Sequence, residues 1–191
     1  MMGKLKNEDF YDDKGVFNAE KAKDAYYNMM ESFGCPIPER LRTEDFWTLD
    51  FGTGRFADVG MAGVFWVNDQ EGDYLGHEIY LLPGQMIPEH WHVKTPEARA
   101  KMEAWHLRNG DVTLFGEGEA SSDAQEIVPA SEWAHTTVRH CTHLKCGEFG
   151  KLNRAEARHF MVAGKDGCIV TEYASYHDMA GLRFTNPEIK L

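Results

Sequence analysis

The chain has 191 residues, 42% of them hydrophobic and 27% charged, a composition that suits one well-buried globular domain and leaves too little chain for two. A formal net charge of −11 argues against nucleic acid as a partner. No apolar run approaches the roughly 20 residues of a membrane span, the N-terminus has no secretory pattern, and Cys35, Cys141, Cys146 and Cys168 are too sparse for a disulfide scaffold. The expected setting is therefore reducing and cytoplasmic.

From Asn18 to Gly34 the sequence reads as one amphipathic helix. Asn18 is an N-cap residue type and Glu20 falls in the first turn, where negative charge meets the helix dipole. Ala22, Ala25, Tyr26, Met29, Met30 and Phe33 recur at helical steps, Gly34 stands at the C′ position, and Pro36 and Pro38 prevent continuation. Such a stripe is core-facing surface, to be packed against a sheet or a partner subunit.

After Pro38 short apolar and alternating runs take over, at 46–51, 62–67, 74–82, 86–93, 101–107, 112–115, 136–145, 159–162 and 168–173, with Gly, Asn, Asp and Pro between them. Asn109-Gly110, flanked by two of these runs, is the strongest hairpin signal in the chain. Many short strands predict an antiparallel barrel or sandwich. The natural division is a helical extension over residues 1–45 and a β-barrel domain over 46–191.

His90 and His92 lie two apart in one of these runs, so an extended backbone points both imidazoles to one side. Glu97 and Glu103 both follow closely. Thr95-Pro96 resembles a helix start, which places Glu97 in a short inserted helical turn as a solvated acid. Glu103 instead opens the strand leading to Asn109-Gly110, and the local chemistry favours it over Glu97 as a ligand. His159 begins a later strand. Three imidazoles and a carboxylate suit Mn²⁺, Fe²⁺, Co²⁺, Ni²⁺ or Zn²⁺. A second group, His140, Cys141, His143 and Cys146, has zinc-like residue types, but all four fall within seven residues of one predicted strand, and alternating strand faces explain them as well.

Gly84, the His90-any-His92 pair, Glu103, Gly110 and the distant His159 together resemble the cupin pattern. Two departures are visible. Cupins usually place the glutamate four or five residues after the second histidine, the position of Glu97. The second motif has Asn153 and Ala155 where proline and glycine are usual. The resemblance implies a mostly β fold, a single cupin (double-stranded β-helix or jelly-roll) barrel with an N-terminal α-helix.

The blocks 89–110, 114–119, 159–175 and 184–187 are similar, more narrowly, to the D-lyxose isomerase family. That resemblance implies a Mn²⁺-dependent enzyme interconverting D-lyxose and D-xylulose, with D-mannose and D-fructose as a related pair. It implies His90, His92, Glu103 and His159 as metal ligands, and Lys101 and Glu172 as the acid/base pair. Cys168, Val170 and Glu172 share a strand face, which would aim Glu172 into the barrel. Arg183 and His177 are candidates for the sugar's distal hydroxyls, and Trp66, Trp91 and Trp105 for pocket walls. The expected partner is a small sugar, with no nucleic acid and no membrane, in a homodimer. The same four ligands would also serve a phosphosugar isomerase, a non-haem dioxygenase or a non-catalytic sugar-binding cupin. Neither of the last two requires a paired Lys101 and Glu172.

Overall fold

The computed structural model describes residues 5–191. Helix α1 covers Ala19–Ser32. Its first turn is closed by the Asn18 side chain, which accepts the Lys21 amide at 3.0 Å, and Gly34 ends it in the left-handed region at φ 68°. Ala22, Ala25, Tyr26, Met29 and Met30 are buried, the stripe that the periodicity predicts. They pack on Phe46, Phe56, Ala62, Val64, Tyr80 and Leu82. Gln85, fully buried, ties the helix down. Its side-chain oxygen accepts from the Tyr26 hydroxyl at 2.6 Å, and its amide donates to the Phe56 carbonyl at 2.5 Å.

Nine strands follow: β1 (Trp47–Leu49), β2 (Met61–Asp69), β3 (Tyr74–Leu81), β4 (Met86–His92), β5 (Glu103–Gly116), β6 (His140–Lys145), β7 (Phe149–Lys151), β8 (His159–Ala174) and β9 (Leu182–Phe184). Every pairing between them is antiparallel. β8 is the axis of the sheet. Its C-terminal half pairs with β3, its N-terminal half with β4, and its other edge with β5 over most of its length. β1 and β2 extend the sheet beyond β3, β9 beyond β4, and β6 and β7 beyond β5. The sheet curls around Met61, Ile79, Leu81, Leu107, Leu114 and Val170. The fold is the mostly β, cupin-type barrel with one N-terminal helix that the resemblance implies.

Asn109-Gly110 does not turn a hairpin. β5 runs straight through it as one strand, with register shifts against β8 on both sides of the pair. Gly110 has φ 77°, and a β-carbon there would lie 2.0 Å from the Gly167 carbonyl oxygen. The positive φ that an Asn-Gly pair supplies is spent on a bulge and a close backbone approach. The runs at 159–162 and 168–173 likewise join into one strand, bent at Gly164–Gly167. The run expected from Thr136 starts only at His140. The Thr137 and Val138 amides instead donate to the buried Glu89 carboxylate, at 2.6 and 2.9 Å. After Thr95-Pro96 the chain makes a non-helical turn in which Thr95 Oγ1 accepts the Glu97 and Ala98 amides at 3.1 and 2.9 Å. β7 and β9, three residues each, carry no sequence pattern that marks them as strands.

Gly110→Ala must absorb both the left-handed backbone cost of roughly 1–2 kcal/mol and a clash with backbone. At Gly84, φ is 73° but nothing lies within 4 Å of the added carbon. In urea unfolding Gly110→Ala is expected to lose about 3 kcal/mol or more, and Gly84→Ala about half that. Equal losses would refute the close-approach account.

Candidate active site

Seven charged or ionisable residues of the barrel interior come from four strands and one loop. His90 and His92 lie on β4, Glu103 on β5, His159 and Glu172 on β8, His77 on β3, and Lys101 just before β5. His90 pairs directly with His159 across the sheet. His159 and Glu172 are thirteen residues apart, a spacing that would put them on opposite faces of an uninterrupted strand. The bend at Gly164–Gly167 shifts the alternation, so His159, Met161 and Ala163 share their side with Cys168, Val170 and Glu172.

One ligand atom from each of His90, His92, Glu103 and His159 lies within 4.8 Å of the others. Glu103 Oε1 is 3.4 Å from His92 Nε2, and Glu103 Oε2 is 3.0 Å from His159 Nε2. The second nitrogens are already committed: His90 Nδ1 lies 2.8 Å from the Pro88 carbonyl oxygen and His159 Nδ1 lies 2.9 Å from that of Ala157. This fixes a proton on each Nδ1 and turns the Nε2 atoms toward one another and toward Glu103. His92 Nε2, His159 Nε2 and Glu103 Oε2 are buried without a hydrogen-bond partner. Three imidazole nitrogens and a carboxylate, convergent and without other partners, fit a divalent metal. Glu97 is exposed and reaches only Gln70, so the structure brings Glu103, and not Glu97, to the group. The His140, Cys141, His143 and Cys146 cluster does not assemble. His143 contacts Asp123 and Thr113, the Cys146 thiol faces the Arg108 carbonyl, and all four cysteines are free.

These groups line one cavity of about 360 Å³, a normal size for a small-molecule site. Its remaining wall is apolar and includes Leu49, Phe51, Ile87, Met179, Phe184 and Leu191. His177 lines it too, with Nδ1 buried and unpartnered. Arg183 does not reach it. The β9 register faces Leu182 and Phe184 inward, and the exposed guanidinium folds back onto the Ala180 and Leu182 carbonyls at 2.9 and 2.7 Å. Of the three tryptophans proposed as walls only Trp105 lines the cavity, while Trp66 lies under Arg40 and Trp91 under Arg158. Trp47, Thr48 and His77 also line it, and sequence reasoning missed all three.

No family model matches the chain. It is 33% identical over 147 residues to the D-lyxose/D-mannose isomerase of Thermosediminibacter oceani, covering 77% of this chain and 80% of that protein. The chain belongs to the D-lyxose isomerase family. A second member, the D-lyxose ketol-isomerase of Cohnella laeviribosi, is 32% identical over 171 residues, 89% of this chain and 91% of that one. Among solved structures, the L-ribose isomerase of Acinetobacter sp. DL28 in complex with L-ribose superposes with a TM-score of 0.70 at 12% identity, covering 95% of both chains. That of Cellulomonas parahominis with L-ribose gives 0.70 at 12% identity, over 90% of this chain and 94% of that one. At such identity the shared property is the fold. As a member of the D-lyxose isomerase family, the protein is an aldose–ketose sugar isomerase.

In this isomerase the Lys101 ammonium is buried between two carboxylates. It donates to Glu103 Oε1 at 2.9 Å and to Glu172 Oε1. Burial alone would lower the Lys101 pKa; the two carboxylates outweigh it and hold the group above its ordinary value, hence charged. Burial would raise Glu103, but Lys101, His159 and His92 carry it well below the usual carboxylate range. Glu172 is also lowered, against burial, by Lys101 first and His77 after it. Burial, with His159 and His92 beside it, holds His90 well below the imidazole range, in the neutral form that donates a lone pair. For His177 burial and then Lys101 bring the value down to about 3, so it too is neutral. Burial would lower His159, but the Glu103 carboxylate beside it holds it above the ordinary imidazole value. The cavity thus offers two ionised carboxylates, one fixed cation and a row of imidazoles.

Removing Lys101 leaves two buried carboxylates facing each other. In chelator-treated protein Lys101→Met is expected to cost about 3 kcal/mol in urea unfolding, the typical loss when one partner of a buried pair is removed. The exposed Lys94→Met should change little. An unaltered midpoint for Lys101→Met would refute the buried-pair reading.

Proposed function

We propose that this isomerase is metal-dependent and interconverts D-lyxose and D-xylulose, with D-mannose and D-fructose as a second pair. The observation that carries the proposal is the convergence of His90, His92, Glu103 and His159 beside the Lys101–Glu172 pair in one cavity. The names of the curated relatives support the substrate, since both act on D-lyxose by name and one also on D-mannose. His90, His92, Glu103 and His159 would hold the metal, for which Mn²⁺ is our choice among Mn²⁺, Zn²⁺, Co²⁺, Fe²⁺ and Ni²⁺. When bound, the cation stabilises negative charge that develops on the sugar's oxygens during enolisation.

The chain's own residues account for the proton movements. Glu172, ionised in the cavity, takes the proton from C2 of the aldose as the C2–H electron pair forms the C1–C2 double bond and the carbonyl pair moves onto O1, giving an enediolate. The same carboxyl returns that proton to C1, giving the ketose. Lys101 donates a hydrogen bond to the carbonyl oxygen of the aldose as that oxygen gains electron density, and the O2 proton is transferred to O1 across the same edge. The half-apolar wall excludes water that would otherwise compete for the proton on Glu172. Thr48 Oγ1 and His177 Nδ1, both buried and unpartnered, are the polar groups available for the distal hydroxyls. Four free cysteines fit a cytoplasmic setting. The homodimer is checked by light scattering.

Incubation of Mn²⁺-loaded protein with D-lyxose and D-mannose, with ketose measured, tests the activity; no turnover on either with metal bound would refute it. Glu172→Gln is expected to lower kcat by about 10²–10⁴. Full activity in that variant would remove Glu172 as the proton carrier. By titration calorimetry Glu103→Ala should lose Mn²⁺ binding and Glu97→Ala should not; the reverse outcome exchanges the two roles. Thr48→Val should raise KM several-fold with kcat little changed, as loss of one hydrogen bond of about 1 kcal/mol requires.

A further inference from the structure

His77 is the one buried titratable group of the cavity that has been given neither a metal, a sugar nor a proton to hold. It lies on β3 directly opposite Glu172 of β8 in the sheet register. Its Nδ1 is 2.9 Å from Glu172 Oε2, while Lys101 occupies Oε1 of the same carboxylate. Two aromatic rings pack against His77. Trp47 stacks on it with centroids 5.6 Å apart at 28°, and the Phe65 centroid lies 4.6 Å away. A β-carbon at residue 63 would lie 2.5 Å from His77 Nε2 and 2.6 Å from the Trp47 ring, so Gly63 is what leaves room for this arrangement. Nε2 itself is buried with no hydrogen-bond partner.

These contacts settle the tautomer. A proton on Nε2 would be a buried donor with no acceptor, and it would leave two lone pairs, on Nδ1 and Oε2, facing each other at hydrogen-bond distance. The proton therefore sits on Nδ1 and is donated to Glu172. A carboxylate whose Oε2 is held by this packed ring presents Oε1 in a fixed direction. Lys101 divides its three N–H donors among Glu103, Glu172 and the sugar's oxygen, so its hold on Glu172 is shared. His77 has no competing partner and stays.

We propose that His77 is a positioning residue for the isomerisation, the neutral Nδ1–H donor that fixes the Glu172 carboxylate over the sugar while Lys101 is engaged with substrate. The proposal rests on the reading of Glu172 as the proton carrier. It assigns no sugar or metal contact to His77, so it separates kcat from KM and from metal affinity.

The test compares three variants in Mn²⁺-loaded enzyme. His77→Leu keeps the volume and loses the donor. His77→Asn retains an N–H at the position of Nδ1, and His77→Gln places its N–H near Nε2 instead. His77→Leu is expected to lower kcat about 10- to 100-fold, the effect of a misplaced catalytic group, with KM for D-lyxose and Mn²⁺ affinity within about twofold of wild type. His77→Asn should recover most of that loss and His77→Gln little of it. Should His77→Leu fail to fold, the Asn and Gln pair still decides: equal activity in the two overturns the proposal. Full kcat in His77→Leu overturns it as well. Independently of activity, ¹⁵N spectra of histidine-labelled, metal-free protein should show His77 as the neutral Nδ1–H form, and an Nε2–H form overturns the proposal. An inactive wild type with metal bound would refute the isomerase reading instead. A wild type that turns over, with His77→Gln matching His77→Asn, would refute only the role of His77.

Discussion

The site depends first on how closely two strands approach at their bends. β5 and β8 are the long strands of the sheet, and each loses its regular alternation at the same level, at Asn109-Gly110 and at Gly164–Gly167. With the Gly110 hydrogen aimed at the Gly167 carbonyl, no side chain fits between them. On β5 the inward residues change from Glu103, Trp105 and Leu107 to Val112 and Leu114; on β8 they change from His159, Met161 and Ala163 to Cys168, Val170 and Glu172. A one-residue slip in a strand exchanges its faces. The two slips compensate each other across the ladder, which keeps the core continuous and places a histidine from one end of β8 and a glutamate from the other in the same cavity.

Within that frame the buried charges are arranged for chemistry more than for stability. Glu103, Lys101 and Glu172 are each almost wholly buried, and hydrophobic residues of similar volume would have served folding at least as well. The lysine neutralises only one of the two carboxylates, leaving the group one negative charge in excess in a low-dielectric setting. A divalent cation at the neighbouring imidazoles reverses that imbalance. The same excess charge is what a proton-abstracting carboxylate requires, since a fully neutralised Glu172 would be a poor base.

How much of this was legible in the sequence follows from how local each signal is. The helix was legible to within a residue or two, because caps and a 3.6-residue stripe are written in neighbouring positions. The sequence favours Glu103 over Glu97 through a helical turn at Thr95-Pro96; the segment is a side-chain-capped turn that is not helical but leaves Glu97 in solvent. Asn109-Gly110 was misread because a positive φ serves a type I′ turn and a bulge alike, and only the presence of β8 beside it distinguishes them. Arg183 was misplaced because its three-residue strand has no pattern of its own, and the β4 edge decides which side chains face inward. His77 lay in a run read as ordinary strand. Its significance depends on Trp47, Phe65, Gly63 and Glu172, which are distant in sequence, and no local pattern reports such a cage.

The distribution of unsatisfied groups shows what the cavity is for without reference to any relative. Among the described residues seven buried side-chain polar atoms lack a partner, and all but Arg55 Nε belong to residues that line this one cavity. Each such atom costs roughly 1–3 kcal/mol, and native interiors keep few of them. Scattered over the molecule they would be packing faults; gathered in one place they are a demand for a ligand. The demand has two parts. His92, His159 and Glu103 ask for a cation between them, whereas Thr48 and His177 ask for hydroxyl groups. A ligand that satisfies both must place adjacent oxygens at the metal-ligating end and further hydroxyls beyond them, with enough hydrocarbon to lie against Leu49, Phe51 and Phe184. A free sugar has that constitution. A phosphosugar would require cations at the far end, where the wall is apolar.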